Sequence, residues 1–138
     1  MPSRNLSDLV PLVCNAATAA IAECTAKGYD VLVTCTYRTP EEQNSLYAQG
    51  RTAPGPIVTN ARANQSMHQF RCALDIVPMF GGKCVWDGSN PLWDEIADIF
   101  ITNGFEWGEN WQQFKEMPHF QITQGYPLAH FQHGGTLE

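Results

Sequence analysis

The sequence has few basic residues and no long apolar run, and each absence excludes a class of protein. The chain has 8 Lys and Arg residues against 14 Asp and Glu residues, a formal net charge of −6. A protein that neutralises nucleic-acid phosphates needs the opposite balance. No segment approaches the roughly 18 apolar residues of a membrane span. We therefore expect neither a nucleic-acid partner nor a membrane partner.

The sequence also lacks a paired cysteine motif and the apolar core of a secretory signal. Its five cysteines are an odd number and contain no C-x-x-C pair, which argues against a disulfide framework. We expect reduced and mostly buried thiols at Cys14, Cys24, Cys35, Cys72 and Cys84. The N-terminal stretch MPSRNLSDLV predicts a product made in the cytoplasm without a signal peptide.

Length and composition predict one globular domain. The 138 residues are 43% hydrophobic and 16% charged, which is ordinary for a soluble domain that buries its own core. We expect a single domain over residues 1–138, with a core over about 6–123 and a tail over 124–138, and a monomer. Repeats and low-complexity segments are absent.

Helix and strand signals alternate irregularly along the chain. A helix is predicted over 8–27, a strand over 29–37, and a second helix that begins with the capping box Thr39-x-x-Glu42 and ends at Gly50. Further on, a strand is predicted at 72–80, a third helix between the N-cap Asn90 and Gly104, and a last strand at 119–122. Three helices and at least three strands predict an α+β domain with an antiparallel or mixed sheet.

Residues 50–66 are rich in Gly, Pro, Asn and Ser and predict a long loop. Loops of this length inside a compact domain are usually functional. The functional site is therefore expected near this loop.

His68 and Asp75 follow that loop, seven residues apart. On one straight strand this offset places the two side chains on opposite faces, and on one helix it separates them by about 10.5 Å. Both could point to one spot if His68 lies in the loop and Asp75 on the strand. The pair then suits two ligands of one metal ion.

A third candidate ligand lies in the stretch KEMPHF. A catalytic zinc site has three protein ligands and one open position for water. His119 could be the third ligand, and Glu116 could lie beside the metal as the base that accepts a proton from water. The separation of 44 residues between Asp75 and His119 does not by itself predict that they meet.

Together these motifs resemble a known family. The pattern Ser66-x-His68-x-x-Arg71-x-Ala73-x-Asp75, followed by Glu116-x-x-His119, is similar to the signature of the D-alanyl-D-alanine-peptidase-like zinc peptidases. The stretches TYRTPEEQNSLYAQGRT and GFEWGENWQQFKEMPHFQ most resemble the branch of L-alanyl-D-glutamate endopeptidases that bacteriophages use as endolysins. The resemblance covers about residues 6–123.

The resemblance implies a fold, a cofactor and roles for individual residues. It implies a zinc site on the sheet with His68, Asp75 and His119 as ligands and Glu116 as general base. Arg38 would anchor a substrate carboxylate or stabilise the oxyanion. The implied activity is zinc-dependent hydrolysis of the L-alanyl-D-glutamate bond in the peptidoglycan stem peptide. An endolysin of this kind would act from the host cytoplasm once the membrane is opened.

Alternatives remain at the level of the sequence. The same fold could serve a D,D-carboxypeptidase or dipeptidase that acts on terminal D-Ala, or a non-catalytic zinc-stabilised module that binds the cell wall. Cys72 lies inside the motif and could bind the metal. The chain also departs from the family pattern at Arg71, where Gly is usual, and at Glu109 and Asn110, where the family has Gly and Asp. None of these three is a proposed ligand.

Overall fold

The computed structural model describes residues 2–111 and 115–138. Residues 112–114, part of the stretch that carries the family resemblance, lie outside the described residues. The described chain contains the helices α1 (Pro11–Ala26), α2 (Pro40–Ala48), α3 (Leu92–Thr102) and α4 (Leu128–Gln132). Its strands are β1 (Asp30–Cys35), β2 (Ala73–Phe80), β3 (Lys83–Cys84), β4 (Glu106–Trp107) and β5 (His119–Gln121).

The five strands form one antiparallel sheet in the order β1-β2-β5-β4, with β3 paired to the far end of β2. The central strand β2 therefore has β1 on one side and β5 on the other. The α+β class with an antiparallel sheet, predicted from the irregular order of helices and strands, is confirmed.

The core lies where α1 and α3 pack on each other and on the sheet. On α1 the buried residues recur every three or four positions, as on one face of a helix: Val13, Ala17, Ala20 and Cys24. Trp93, Ile96 and Phe100 are the largest side chains that α3 buries. On β2, Leu74 and Ile76 are fully buried and, by the alternation of a strand, lie on the face opposite Asp75.

The capping box before α2 forms as predicted. The Thr39 side chain accepts a hydrogen bond from the backbone N–H of Glu42 at 3.1 Å, and the Glu42 carboxylate accepts one from the N–H of Thr39 at 2.8 Å. Three elements were not predicted. Strands β3 and β4 have two residues each and exist because β2 and β5 pair with them, and α4 is a short helix inside the region expected to be a tail.

All five cysteines are free, and three of them are buried: Cys24, Cys35 and Cys72. Cys14 is half-buried and Cys84 is exposed, so the prediction of mostly buried thiols holds for three of the five. Among the described residues, no helix has both the length and the apolar character to cross a membrane.

Candidate metal centre

Strand register places three polar side chains in one row across the sheet. Cys35 of β1 lies opposite Asp75 of β2, and Asp75 lies opposite His119 of β5. Directly opposite residues of an antiparallel pair project to the same face, with Cβ atoms about 4.5–5.5 Å apart. Asp75 and His119, 44 positions apart in the sequence, are thus direct neighbours on adjacent strands.

His68 approaches this row from a short 3-10 helix, Met67–Phe70, that directly precedes β2. Ser66 caps the helix by accepting a hydrogen bond from the N–H of His68, and the side-chain oxygen of Gln69 accepts one from the N–H of Ser66. The chain then turns through Arg71, which has a left-handed φ of 62°. Because glycine favours this conformation, the turn explains why the family pattern has Gly at that position. His68 thus lies in the segment before the strand that carries Asp75. This is the arrangement predicted to let both side chains point to one spot.

One oxygen of the Asp75 carboxylate lies close to both of the proposed histidine ligands. Asp75 Oδ1 lies 3.2 Å from His68 Nε2 and 3.4 Å from His119 Nδ1, and the two imidazole rings meet edge to face with centroids 4.9 Å apart. Tetrahedral zinc with bonds of about 2.0–2.1 Å separates its ligand atoms by roughly 3.3–3.4 Å. Each of these two distances matches the spacing of neighbouring ligand atoms around one zinc ion.

The second nitrogen of each ring is engaged elsewhere, which fixes the tautomers that metal binding needs. His68 Nδ1 donates to the carbonyl oxygen of Thr36 at 2.8 Å, and His119 Nε2 donates to Oε1 of Gln121 at 2.8 Å. In the neutral tautomer with its proton on that engaged nitrogen, each ring has its other nitrogen, the one facing Asp75, available to bind a metal ion. Neither partner was predicted; Gln121 lies two residues after His119 on β5, so strand alternation could have identified it.

The charges at this row reinforce one another. Burial alone would raise the pKa of Asp75, but the two histidines hold the pKa of this carboxyl far below its usual range. Burial lowers the pKa of His68. Burial also acts to lower the pKa of His119, but the hydrogen bond and charge of Asp75, with Glu116, outweigh it and raise that pKa. Asp75 is therefore ionised and able to bind a cation.

Arg38 holds the other oxygen of Asp75. Its Nη2 lies 3.5 Å from Asp75 Oδ2 and 3.5 Å from Cys35 Sγ, while Nη1 donates to Gln43 Oε1 at 2.7 Å. The guanidinium is thus anchored on the protein side of the site. This contact pattern supports a role in orienting Asp75 and leaves fewer donors for a substrate carboxylate.

Gln43 is the buried residue of α2, and its side chain is 0% exposed. Besides Arg38, it accepts a hydrogen bond from Gln69 Nε2 at 3.3 Å and donates to the carbonyl of Ala61 at 2.8 Å. This buried amide connects α2, the long loop and the 3-10 helix that carries His68.

Glu116 lies one turn before His119, whose backbone N–H donates to its carbonyl oxygen at 3.1 Å. Burial raises the pKa of the Glu116 carboxyl, and the groups that act on it electrostatically are His119, Asp75 and Arg38. The backbone at this point touches Gly108, where an added Cβ would lie 2.1 Å from the Glu116 carbonyl oxygen. Gly108 is therefore required for this close approach.

Two cavities flank the row and share residues of its rim. One, of about 690 Å³, is lined among others by Ser66, Trp111 and Gln121. The other, of about 430 Å³, is lined by Arg38, Asp75 and Lys115 among others. Thr59 of the long loop, Glu116 and His119 line both. The predicted proximity of the 50–66 loop to the site is thus observed.

Cys72, the cysteine considered as a ligand from its place in the motif, does not lie in the row. Its thiol donates to the carbonyl of Phe70 and belongs to the apolar core, where burial raises its pKa to about 11. The cysteine near the centre is Cys35, whose Sγ lies 3.7 Å from His68 Nδ1. Cys35, His68 and Asp75 offer ligand atoms that lie within 4.8 Å of one another.

The aromatic residues divide between core and site. Trp107 is buried, stacks on Phe120 and donates to the carbonyl of Met117. Trp111 lies with its ring 5.0 Å from that of His119 and lines the larger cavity. Of these two tryptophans, Trp111 faces the site. The ring of His130, in the region expected to be a tail, stacks on that of Tyr126.

With this geometry established, the chain can be compared with known proteins. The family model described as D-alanyl-D-alanine carboxypeptidase matches residues 59–122. The peptidoglycan L-alanyl-D-glutamate endopeptidase CwlK of Bacillus subtilis strain 168 is 40% identical over 124 residues, which cover 84% of this chain and 74% of that protein. The chain belongs to the D-alanyl-D-alanine carboxypeptidase family.

Other relatives of this family agree with the assignment. The L-alanyl-D-glutamate peptidase of a Listeria phage is 28% identical over 145 residues, which cover 97% of this chain and 46% of that protein. The crystal structure of the L-Ala D-Glu endopeptidase ChiX of Serratia marcescens has the same fold, with a TM-score of 0.67, 22% identity and 89% of each chain covered. The chain is thus a metallopeptidase of this family, as the motifs predicted.

Proposed function

We propose that this protein is a zinc-dependent endopeptidase that hydrolyses the L-alanyl-D-glutamate bond of the peptidoglycan stem peptide. The observation that carries the proposal is the pair of distances, 3.2 and 3.4 Å, from Asp75 Oδ1 to nitrogens of His68 and His119. This N,N,O donor set suits a catalytic zinc with an open position. The names of the relatives from Bacillus and the phage support the choice of bond.

When bound, zinc would polarise the scissile carbonyl and acidify water. Glu116 is the proposed general base: its carboxylate accepts a proton as the water oxygen bonds to the carbonyl carbon, and returns a proton to the amine nitrogen as the C–N bond breaks. Its position beside His119, with a pKa raised by burial, suits both halves of this cycle.

Arg38 acts in this proposal through Asp75. By holding Oδ2 it leaves Oδ1 free to face the histidines. Its two Nη groups are engaged with Gln43, Cys35 and Asp75. We therefore assign to Arg38 the positioning of a ligand rather than the capture of a substrate carboxylate.

An extended peptide could occupy both cavities, which share Glu116 and His119 in their lining. One cavity would hold the part of the stem peptide before the scissile bond and the other the part after it. Lys115 is exposed, and within residues 2–111 and 115–138 it forms no ion pair. It is a candidate to attract the free carboxylate of D-glutamate in the cavity that it lines.

The proposed biological role is that of a phage-type endolysin. Support comes from the similarity to the Listeria phage peptidase. In this role the protein would accumulate in the cytoplasm of the bacterial host and reach the wall when another factor opens the membrane.

The decisive experiment is mass spectrometry of fragments released from purified peptidoglycan. Zinc-loaded protein should release stem peptides that begin at D-Glu, and neither chelated protein nor Glu116→Gln should do so. Release of free D-Ala alone would replace the proposal with a carboxypeptidase. Zinc binding without release of any fragment would favour the non-catalytic wall-binding module.

A further inference from the structure

We infer that the larger of the two cavities, of about 690 Å³, binds the N-acetylmuramyl residue to which stem peptides are attached in intact peptidoglycan. The protein then prefers peptides that are still joined to the glycan over peptides that have been released from it. This inference rests on the proposed function, since it assigns the two sides of the L-alanyl-D-glutamate bond to the two cavities.

The sheet places the two cavities on opposite sides of the metal centre. Its strand order is β1-β2-β5-β4. The smaller cavity is lined by Arg38, which follows β1, and by Asp75 of β2. The larger cavity is lined by Gln121 of β5 and Glu106 of β4. His119 lines both, so a peptide whose scissile bond lies at the metal centre extends into one cavity on each side.

Charge assigns the direction of the peptide. The smaller cavity is lined by the cationic side chains of Arg38 and Lys115 as well as by Asp75 and Glu116. Among the described residues that line the larger cavity, none is Lys or Arg, whereas Glu106 and Glu116 are acidic. The D-glutamyl side of the scissile bond carries a free carboxylate, so it suits the cavity that contains Lys115. The L-alanyl side, which is neutral when its nitrogen is acylated, therefore enters the larger cavity.

The larger cavity also offers hydrogen-bond donors without positive charge. Three amide side chains line it, those of Asn60, Gln65 and Gln121. In each, the oxygen accepts a hydrogen bond from the protein, at 2.8, 2.9 and 2.8 Å respectively. Within residues 2–111 and 115–138, none of the three amide nitrogens donates a hydrogen bond. Each side chain is therefore oriented by its oxygen and keeps its N–H donors for a ligand.

A ligand that suits these walls is neutral and carries many oxygen acceptors. A carboxylate would meet the donors but would be repelled by Glu106 and Glu116, and a free ammonium would leave the three amide groups without acceptors. An N-acetylmuramyl residue offers acetamide, ether and hydroxyl oxygens and has no charge once its lactyl carboxyl is joined to L-Ala. Trp111 and Tyr126 add aromatic surface on which the C–H face of a sugar ring can pack. The cavity volume lies in the range of pockets that hold ligands of this size.

The test compares two substrates that differ only in the group on the L-Ala nitrogen, N-acetylmuramyl-L-Ala-D-γ-Glu-L-Lys and N-acetyl-L-Ala-D-γ-Glu-L-Lys. With zinc-loaded protein, kcat/KM should be at least about 10-fold higher for the muramyl substrate. Asn60→Asp and Gln65→Glu keep the oxygen that the protein engages and lose the N–H donors, so each should lower the ratio of the two kcat/KM values by about 3- to 10-fold. Asn15→Asp, the same change at an exposed position of α1 outside both cavities, is the matched control and should leave the ratio unchanged.

A second measurement does not depend on cleavage. Calorimetry with zinc-loaded Glu116→Gln protein should detect binding of N-acetylmuramyl-L-alanine methylamide, and binding of N-acetyl-L-alanine methylamide that is at least about 10-fold weaker.

The two measurements separate failure of the inference from failure of the proposed function. Cleavage of both substrates with equal kcat/KM would overturn the inference and leave the proposed function intact, as would a preference that Asn60→Asp and Gln65→Glu both retain in full. Cleavage of neither substrate, together with preferential binding of the muramyl methylamide, would overturn the proposed function and support the sugar site. Equal binding of the two methylamides would overturn the inference whether or not the substrates are cut.

Discussion

The substitution Gln43→Met tests whether the buried amide holds the metal centre in place. Methionine has nearly the same length and volume as glutamine but cannot accept the hydrogen bond from Arg38 or donate to Ala61. The fold should tolerate its shape, so that any effect reports on the polar contacts.

The expected loss of stability follows from those contacts. A hydrogen bond to a charged group contributes about 1.5–3 kcal/mol, and an unpaired buried carbonyl costs about 1–3 kcal/mol. Ala61 is half-buried, so water can partly replace its partner. We expect a decrease of about 3 kcal/mol in the free energy of unfolding, which corresponds to roughly 10 °C in Tm for a domain of this size.

Function should decline for a separate reason. Without Gln43, Arg38 loses its 2.7 Å anchor and no longer fixes Oδ2 of Asp75. Loss of such an outer partner typically lowers metal affinity or activity by about 10- to 100-fold. Urea unfolding, zinc titration and kcat/KM on peptidoglycan measure the three effects.

The matched control is Gln132→Met, which removes one exposed amide hydrogen bond, to the carbonyl of Asn64. It should change stability by no more than about 0.5 kcal/mol. The reasoning is refuted if Gln43→Met behaves like this control, with unchanged zinc affinity, because the amide would then be dispensable to the site.

Three further predictions concern other parts of the site. Gly108→Ala should displace the backbone at Glu116 and lower kcat/KM by about 100-fold. The control is Gly88→Ala, which should have little effect because its added Cβ meets only the flexible end of a methionine side chain. Equal losses of kcat/KM in the two variants would contradict the steric argument. The pKa of His119 is raised in the metal-free protein, so zinc binding should release a proton from His119 below that pKa and progressively less than one as the pH rises above it. Calorimetry in buffers of different ionisation enthalpy measures the number of protons released. A number that does not change with pH would refute the prediction. In the folded protein at pH 8, iodoacetamide should modify Cys84 first and leave Cys24, Cys35 and Cys72 unlabelled, because burial raises the pKa of each of these three thiols to about 11. Mass spectrometry measures the order of labelling. Early labelling of a buried thiol would contradict the prediction and would show local opening.

Much of the fold was predictable because its signals are local. The capping box at Thr39 and the glycine after α1 mark helix ends in the sequence alone. Strand β4 could not be predicted, since two residues carry no periodic pattern and their conformation depends on the partner strand β5.

The site shows the same division. His68 and Asp75 were predictable as a pair because the loop-to-strand transition lies within a few residues. Their meeting with His119 and Cys35 depends on register between distant strands, which a motif does not encode. Cys72 lies inside the motif, three positions before Asp75. An odd offset along an extended segment places the two side chains on opposite faces, so Cys72 faces away from the metal centre.

The row of Cys35, Asp75 and His119 makes the metal centre a reporter of correct assembly. A slip of β5 by one residue would bring Phe120 to the level of Asp75 and turn His119 to the other face. The earliest and latest of these residues are separated by more than half of the chain, so the binding site exists only after the long-range pairings have closed. Metal uptake during refolding should consequently appear late, in step with the final ordering of the sheet rather than with the formation of the helices.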